Sequence, residues 1–363
     1  MNGGPPRIFL HIGTMKSGTS YVQGMLWRSR VELRAGGVLY PGEASWLEQV
    51  EAVRDAIGVG GPERRPVQVG AWHELTQQLL GWSGPVAIVS MELLSFAGRS
   101  KVGEIVESLR PAEVHAVITA RDLARVIPSA WQESTQNRQT WTWPDYLASL
   151  TGDGTQEPTA YRRFWKHHDL AVIADHWAAA IGAQNVHLVT VAPAGGPRDQ
   201  LWRRFATAVG LDADRYVVPD AVRGNPAVGA ASAEFLRRLN EGLIDLDPTA
   251  YERLVKKFLA KQTLAHRTDE PRLALPARYQ PWVLARAATM VEQLRTSGID
   301  IVGDLEDLRP RFDGDASDPD AVTEREVAGA AVHAAHALVL ELAAEHADGG
   351  GARRPRSRRG RRG

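Results

Sequence analysis

A chain of 363 residues, 44% hydrophobic and 24% charged, has the composition of an ordinary globular protein large enough to bury a substantial core. It contains no cysteine, which excludes disulfides, thiolate metal sites and a cysteine nucleophile, and nothing in it calls for an oxidising compartment. Its 43 basic and 43 acidic residues cancel, but residues 353–363 hold seven arginines and no acid, so the remainder carries a net charge of −7. No apolar stretch of signal-peptide length follows Met1 to Arg7, and no uninterrupted apolar run reaches bilayer-spanning length. The expectation is a soluble, cytoplasmic protein without a membrane span.

In chain order, Ile8 to Ile12 is a short, partly β-branched run followed at once by a Gly/Ser/Thr turn, the pattern of a buried strand feeding a loop. A helix is predicted from Thr19 to about Arg34, with Val22, Met25, Leu26 and Trp27 on its apolar stripe and Gly36-Gly37 as its stop. Further strands are predicted at Val86–Ser90, Val114–Thr119 and Val186–Val191, separated by helical patterns. Strands alternating with helices predict an α/β fold with a parallel sheet covered on both faces, and ligands beyond the carboxyl ends of the strands. After Val191 the pattern is helical, at about 198–209, 228–243, 249–265 and 278–297. The expected organisation is one α/β domain over 1–312, a linker and an Ala-rich C-terminal helix within 313–352, and a disordered Arg-rich tail over 353–363.

The turn after the first strand reads Gly13-Thr14-Met15-Lys16-Ser17-Gly18-Thr19-Ser20. Strand, glycine-rich turn and helix start together aim backbone N–H groups and the helix dipole at an anion. A nucleotide triphosphatase loop places lysine directly after its second glycine. Here Thr19 holds that position and the lysine lies inside the loop, where it can reach a bridging oxygen and stabilise charge on a departing phosphate. A structural Gly-rich turn fits the same eight residues. A second anion element is Arg121 at the end of the third long strand with Ser129 two helical turns on, a guanidinium fork and a hydroxyl donor. An Arg121-Asp122 salt bridge at a helix start, with Ser129 merely exposed, is the alternative.

In combination these residues resemble the PAPS-dependent sulfotransferase family (PAPS being 3′-phosphoadenosine-5′-phosphosulfate), whose loop reads approximately G-x-P-K-[ST]-G-T-[ST] and whose 3′-phosphate element pairs an arginine with a downstream serine. Met15 stands where the family usually has proline, which loosens the loop but removes no donor. Similar segments, among them Ser129–Glu133, Asp169–Ala180, Val186–Val191 and Val302–Leu305, extend the resemblance over about residues 7–312, toward a bacterial, mainly actinobacterial, branch. The resemblance implies a P-loop-type parallel sheet and transfer of a sulfuryl group from PAPS to a hydroxyl or amine of a small-molecule, glycan or glycolipid acceptor, releasing PAP. It assigns the 5′-phosphosulfate to Lys16, Ser17, Gly18, Thr19 and Ser20, and the 3′-phosphate to Arg121 and Ser129. A closing Arg-Lys-Gly loop has only Arg223-Gly224-Asn225 as its counterpart.

Such a transfer benefits from a base near the acceptor. Glu92, just beyond the Val86–Ser90 strand, is one candidate; support of a helix start is its other reading. His11, otherwise a structural strand histidine, and His168, otherwise a solvated one, are the further candidates. No metal motif is present: His167 and His168 are adjacent, and there is no H-E-x-x-H. Trp131, Trp141 and Trp143 suit an acceptor cleft or the core. The arginine tail is read as a solvated tail rather than a nucleic-acid module. A P-loop kinase or NTPase and a non-catalytic nucleotide-binding module are the competing functions.

Overall fold

The structure is a computed structural model that describes residues 6–42, 45–59, 67–152, 158–216, 228–270, 272–312 and 321–349. Arg223-Gly224-Asn225 and the arginine tail lie outside the described residues. In chain order the elements are β1 (Arg7–Gly13), α1 (Thr19–Arg28), α2 (Arg30–Ala35), β2 (Val38–Leu39), α3 (Leu47–Ile57), α4 (Ala71–Leu80), β3 (Val86–Ser90), a 3₁₀ turn (Glu92–Phe96), α5 (Arg99–Ser108) and β4 (Glu113–Ala120). There follow α6 (Leu123–Gln136), α7 (Trp143–Thr151), α8 (Pro158–His168), α9 (Leu170–Ile181), β5 (Val186–Thr190), α10 (Gln200–Ala208) and α11 (Ala230–Glu241). Last come α12 (Pro248–Tyr251), which runs directly into a π-helix (Glu252–Thr263), then α13 (Gln280–Thr296), β6 (Asp300–Val302) and α14 (Glu324–Gly349).

The strands form one parallel sheet in the order β2-β3-β1-β4-β5-β6. β1 alternates its side chains between two apolar layers. Ile8, Leu10 and Ile12 pack into the layer that includes α3, α4, α5 and α9, while Phe9 packs with Val22, Met25 and Leu26 of α1 and Trp202 and Phe205 of α10. Burial on both faces is why the strands read as continuous apolar runs. β2 and β6, of two and three residues, are too short to leave such a run. The expected helix from Thr19 to Arg34 breaks at Ser29 into α1 and α2.

Because β1 lies between β3 and β4, the chain leaves it toward one side of the sheet and returns on the other. That switch point lies at the carboxyl ends of β1 and β4, the place where α/β sheets hold ligands. The ladder between β1 and β4 slips between His11 and Gly13, turning the chain out of the sheet there. A run of buried hydrogen bonds fixes the turn. Ser17 Oγ donates to the Thr14 carbonyl at 2.5 Å and lies 2.7 Å from Thr119 Oγ1; His11 Nε2 is 3.2 Å from Thr119 Oγ1 and His11 Nδ1 is 2.7 Å from Ser90 Oγ.

One proton per group allows a single direction: Ser90 to His11, His11 to Thr119, Thr119 to Ser17, and Ser17 to the loop carbonyl. His11 is thereby the Nε2–H tautomer, fully buried, with its pKa pushed down to about 3 by burial. Both ring nitrogens are used within the sheet, so His11 braces the loop and is not placed to serve as a base.

A histidine neutral in the fold but protonated in the unfolded chain makes stability fall as pH drops below 6.5 and continue falling to about 3. We expect His11→Gln to remove about 1.4 kcal/mol per pH unit from that acid-side slope, read as the difference from wild type in urea unfolding across this range; equal slopes would contradict the assignment.

Candidate anion and nucleotide site

The loop presents six consecutive backbone N–H groups, Met15 to Ser20, that have no acceptor among the described residues; the first bonded one is Tyr21, to the Gly18 carbonyl at 3.0 Å. Gly18 caps α1 without a side-chain acceptor. Three loop residues have positive φ, Gly13 at 91°, Lys16 at 64° and Gly18 at 87°. Such backbone is strained for lysine and turns successive N–H groups to one side, making an anion nest. A Cβ on Gly13 would lie 2.8 Å from Cβ of Glu92, and one on Gly18 would lie 2.5 Å from Cδ2 of Leu201. The Thr19 and Ser20 hydroxyls make no hydrogen bond among the described residues. The Ser17 hydroxyl is turned inward, which leaves its N–H rather than its side chain for an anion.

Arg121 stands at the β4 end and donates from Nη1 to the Lys16 carbonyl at 3.4 Å, so the loop and the strand end share one rim. Asp122 is the N-cap of α6 and forms its ion pair with Arg125, whose guanidinium also donates to the Val191 and Ala192 carbonyls. The Arg121-Asp122 bridge expected as an alternative is therefore not made. Arg121 has no carboxylate partner among the described residues, and its Nε is buried and unsatisfied. Burial first, then the nearby Arg125, pushes its pKa down to about 10, with Asp122 opposing and Arg272 adding to the decrease. It remains a cation at neutral pH, half-buried without a counterion, an arrangement that an incoming anion relieves. Ser129, half-buried on α6, has its hydroxyl unengaged among the described residues.

Sequence reasoning did not single out Glu133, one helical turn beyond Ser129. Lys16 Nζ donates to Glu133 Oε2 at 3.4 Å, and Asn137 Nδ2 donates to Oε1 at 3.1 Å. Burial pushes this carboxyl up, but Lys16, Lys256, the Asn137 hydrogen bond and Lys261 outweigh it and hold the pKa below the ordinary value. Lys256 and Lys261 lie five residues apart in the π-helix, where i to i+5 hydrogen bonding stacks such residues on one side. The legible signal was the i, i+4 spacing of Ser129 and Glu133.

Glu92 opens the 3₁₀ turn but caps no N–H; its Oε2 accepts from Gln23 Nε2 at 2.8 Å, and its Cβ abuts Gly13. Glu92 is thus the acid of the first turn without a capping hydrogen bond. His168 is buried rather than solvated, with Nδ1 unsatisfied. Burial, then His167 and Lys16, lower its pKa to about 3, leaving a neutral imidazole within electrostatic reach of Lys16. His167 stacks on Phe96, with ring centroids 3.7 Å apart. Trp131 and Trp143 belong to the core, and Trp131 Nε1 donates to the Trp141 carbonyl at 3.1 Å. Among the described residues no group of three or more metal-ligating side chains occurs.

No family model matches the chain, and no curated protein matches it. Among solved structures, the crystal structure of a sulfotransferase from Alicyclobacillus acidocaldarius is similar at 17% identity, over 70% of this chain and 96% of that one, with a TM-score of 0.36. So low a score carries no argument about this chain.

Among the described residues, Glu133 is the carboxylate that pairs Lys16. Glu133→Gln removes a negative charge a few ångströms from the anion position, so inorganic pyrophosphate is expected to bind about tenfold more tightly; unchanged affinity by calorimetry would uncouple Glu133 from the site.

Proposed function

We propose that this chain is a sulfotransferase that moves a sulfuryl group from PAPS to a hydroxyl or amine of a small-molecule, glycan or glycolipid acceptor. The observation that carries the reading is the shared rim of an anion nest whose N–H groups have no acceptor, and a half-buried arginine that has no carboxylate partner, among the described residues. A donor with a phosphosulfate at one end and a 3′-phosphate at the other answers both. An ordinary nucleoside triphosphate answers only the nest, and Thr19 occupies the position of an NTPase lysine.

On this reading the loop N–H groups, Lys16 and the Thr19 and Ser20 hydroxyls hold the 5′ end, while Arg121 and Ser129 hold the 3′-phosphate. The acceptor oxygen or nitrogen attacks sulfur in line; the bond from sulfur to the bridging oxygen breaks, and its electron pair leaves with the phosphate of PAP. Lys16 must exchange Glu133 for that oxygen, where its charge counts most as negative charge develops. The acceptor proton goes to Glu92, whose second carboxylate oxygen is unengaged among the described residues. His168 is the other base in reach of Lys16, and a bound polyanion raises its affinity for a proton.

Turnover is measured by incubating the protein with labelled PAPS and a metabolite extract and identifying the sulfated product by mass. Lys16→Ala should lower turnover by about a hundredfold or more while weakening binding of PAP far less. Glu92→Gln should cost about a hundredfold or more in acceptor sulfation; full retention at neutral pH would move the base to His168. Tighter binding of magnesium-ATP than of PAP would overturn the sulfotransferase reading itself.

A further inference from the structure

Two lysines reach the Glu133 carboxylate through its two oxygens. Oε2 accepts from Lys16 Nζ at 3.4 Å, and Oε1 accepts from Asn137 Nδ2 at 3.1 Å. Asn137 Nδ2 also donates to the Glu133 carbonyl at 2.7 Å, while Asn137 Oδ1 accepts from Lys256 Nζ at 2.8 Å. Both amide hydrogens and the amide oxygen are thereby used. Only this orientation of the amide sets a donor against the carboxylate and an acceptor against the ammonium. The result is one run of hydrogen bonds from the loop to the π-helix, through Lys16, Glu133, Asn137 and Lys256.

The fold fixes the far end of that run. Tyr251, five residues before Lys256, donates from its hydroxyl to Asn240 Oδ1 at 2.7 Å and accepts from the Arg138 N–H at 3.1 Å, which fastens the start of the π-helix to the end of α6. Hydrogen bonding from i to i+5 then brings Lys256 to the same end of α6. Glu252, whose Oε2 lies 3.6 Å from Lys256 Nζ, is its other partner.

The near end is held less firmly. At 3.4 Å the Lys16 contact is long for a charge-assisted hydrogen bond. Lys16 also belongs to the loop whose N–H groups have no acceptor among the described residues, so an anion bound there competes with Glu133 for its ammonium. A half-buried carboxylate stripped of its cation is disfavoured, and Lys16 leaves readily only if the charge on Glu133 stays compensated. Lys256, through the polarised Asn137 amide, and Lys261, through space, supply that compensation.

We propose that Lys256 is a positioning residue for Lys16: acting through Asn137, it takes over the Glu133 carboxylate when an anion in the loop draws Lys16 away. The inference rests on the nest and the ion pair rather than on the identity of the donor, so it stands even if the sulfotransferase reading fails.

A double-substitution cycle followed by calorimetry, with inorganic pyrophosphate as the probe, tests it. Lys256→Met should weaken binding about tenfold, because Lys16 is then held back by Glu133. In a Glu133→Gln background the same substitution should cost no more than about twofold, the remnant of direct attraction between Lys256 and the anion. Lys256→Arg, which keeps the cation, should stay within about threefold of wild type. Equal losses in the two backgrounds would show that Lys256 attracts the anion directly and would overturn the proposal. So would an unchanged affinity in Lys256→Met, or a loss in Lys256→Arg as large as that in Lys256→Met. Failure of wild type to bind pyrophosphate would remove the nest and the proposal with it.

Discussion

A half-buried cation with no carboxylate partner among the described residues is the constraint on which the site depends. Asp122, the carboxylate next to Arg121 in sequence, is committed to capping α6 and to Arg125, and Arg125 is itself anchored to the carbonyls that follow β5. Arg121 is left at the end of β4 with its charge half out of water and one nitrogen unsatisfied. Folding leaves such a group at an energetic disadvantage, and a bound anion removes it. Beside it the loop contributes unpaired N–H groups and a lysine in a conformation that lysine disfavours. Cation and nest thus make the same demand.

The loop keeps that shape because its supports are buried and fully bonded. Ser17, Thr119, His11 and Ser90 carry one directed run of hydrogen bonds across β4, β1 and β3, and glycine at positions 13 and 18 lets Glu92 and Leu201 approach the backbone. Two of the residues that the sequence offers for substrate, Ser17 and His11, spend their side chains on this support instead. Rigid support of a strained loop is what preorganised electrostatic stabilisation needs.

How much could be read from the sequence follows from how local each feature is. The four longer strands, the loop and the position of Arg121 are encoded in contiguous residues, and the α/β sheet follows from their alternation with helices. Ser29 splitting the first helix, and the short edge strands β2 and β6, leave no comparable periodic trace. Glu133 lay in plain view one turn from Ser129, yet its meaning comes from Lys16 and from two lysines more than a hundred residues later. Those lysines meet it in a π-helix where an ordinary helical pattern over 249–265 puts residues five apart on different sides. The burial of His168 is likewise tertiary, set by the packing of α8 against the turn that carries Phe96.

The central claim is that one nucleotide is gripped at both its anionic ends, and the most direct measurement is a calorimetric cycle of two ligands on two proteins. 3′,5′-Adenosine bisphosphate and 5′-adenosine monophosphate are titrated into wild type and into Arg121→Ala. Wild type should prefer the bisphosphate by about tenfold or more, and the substitution should erase the preference while leaving the monophosphate affinity nearly unchanged. A preference that survives in Arg121→Ala, or that wild type never displays, would contradict the central claim.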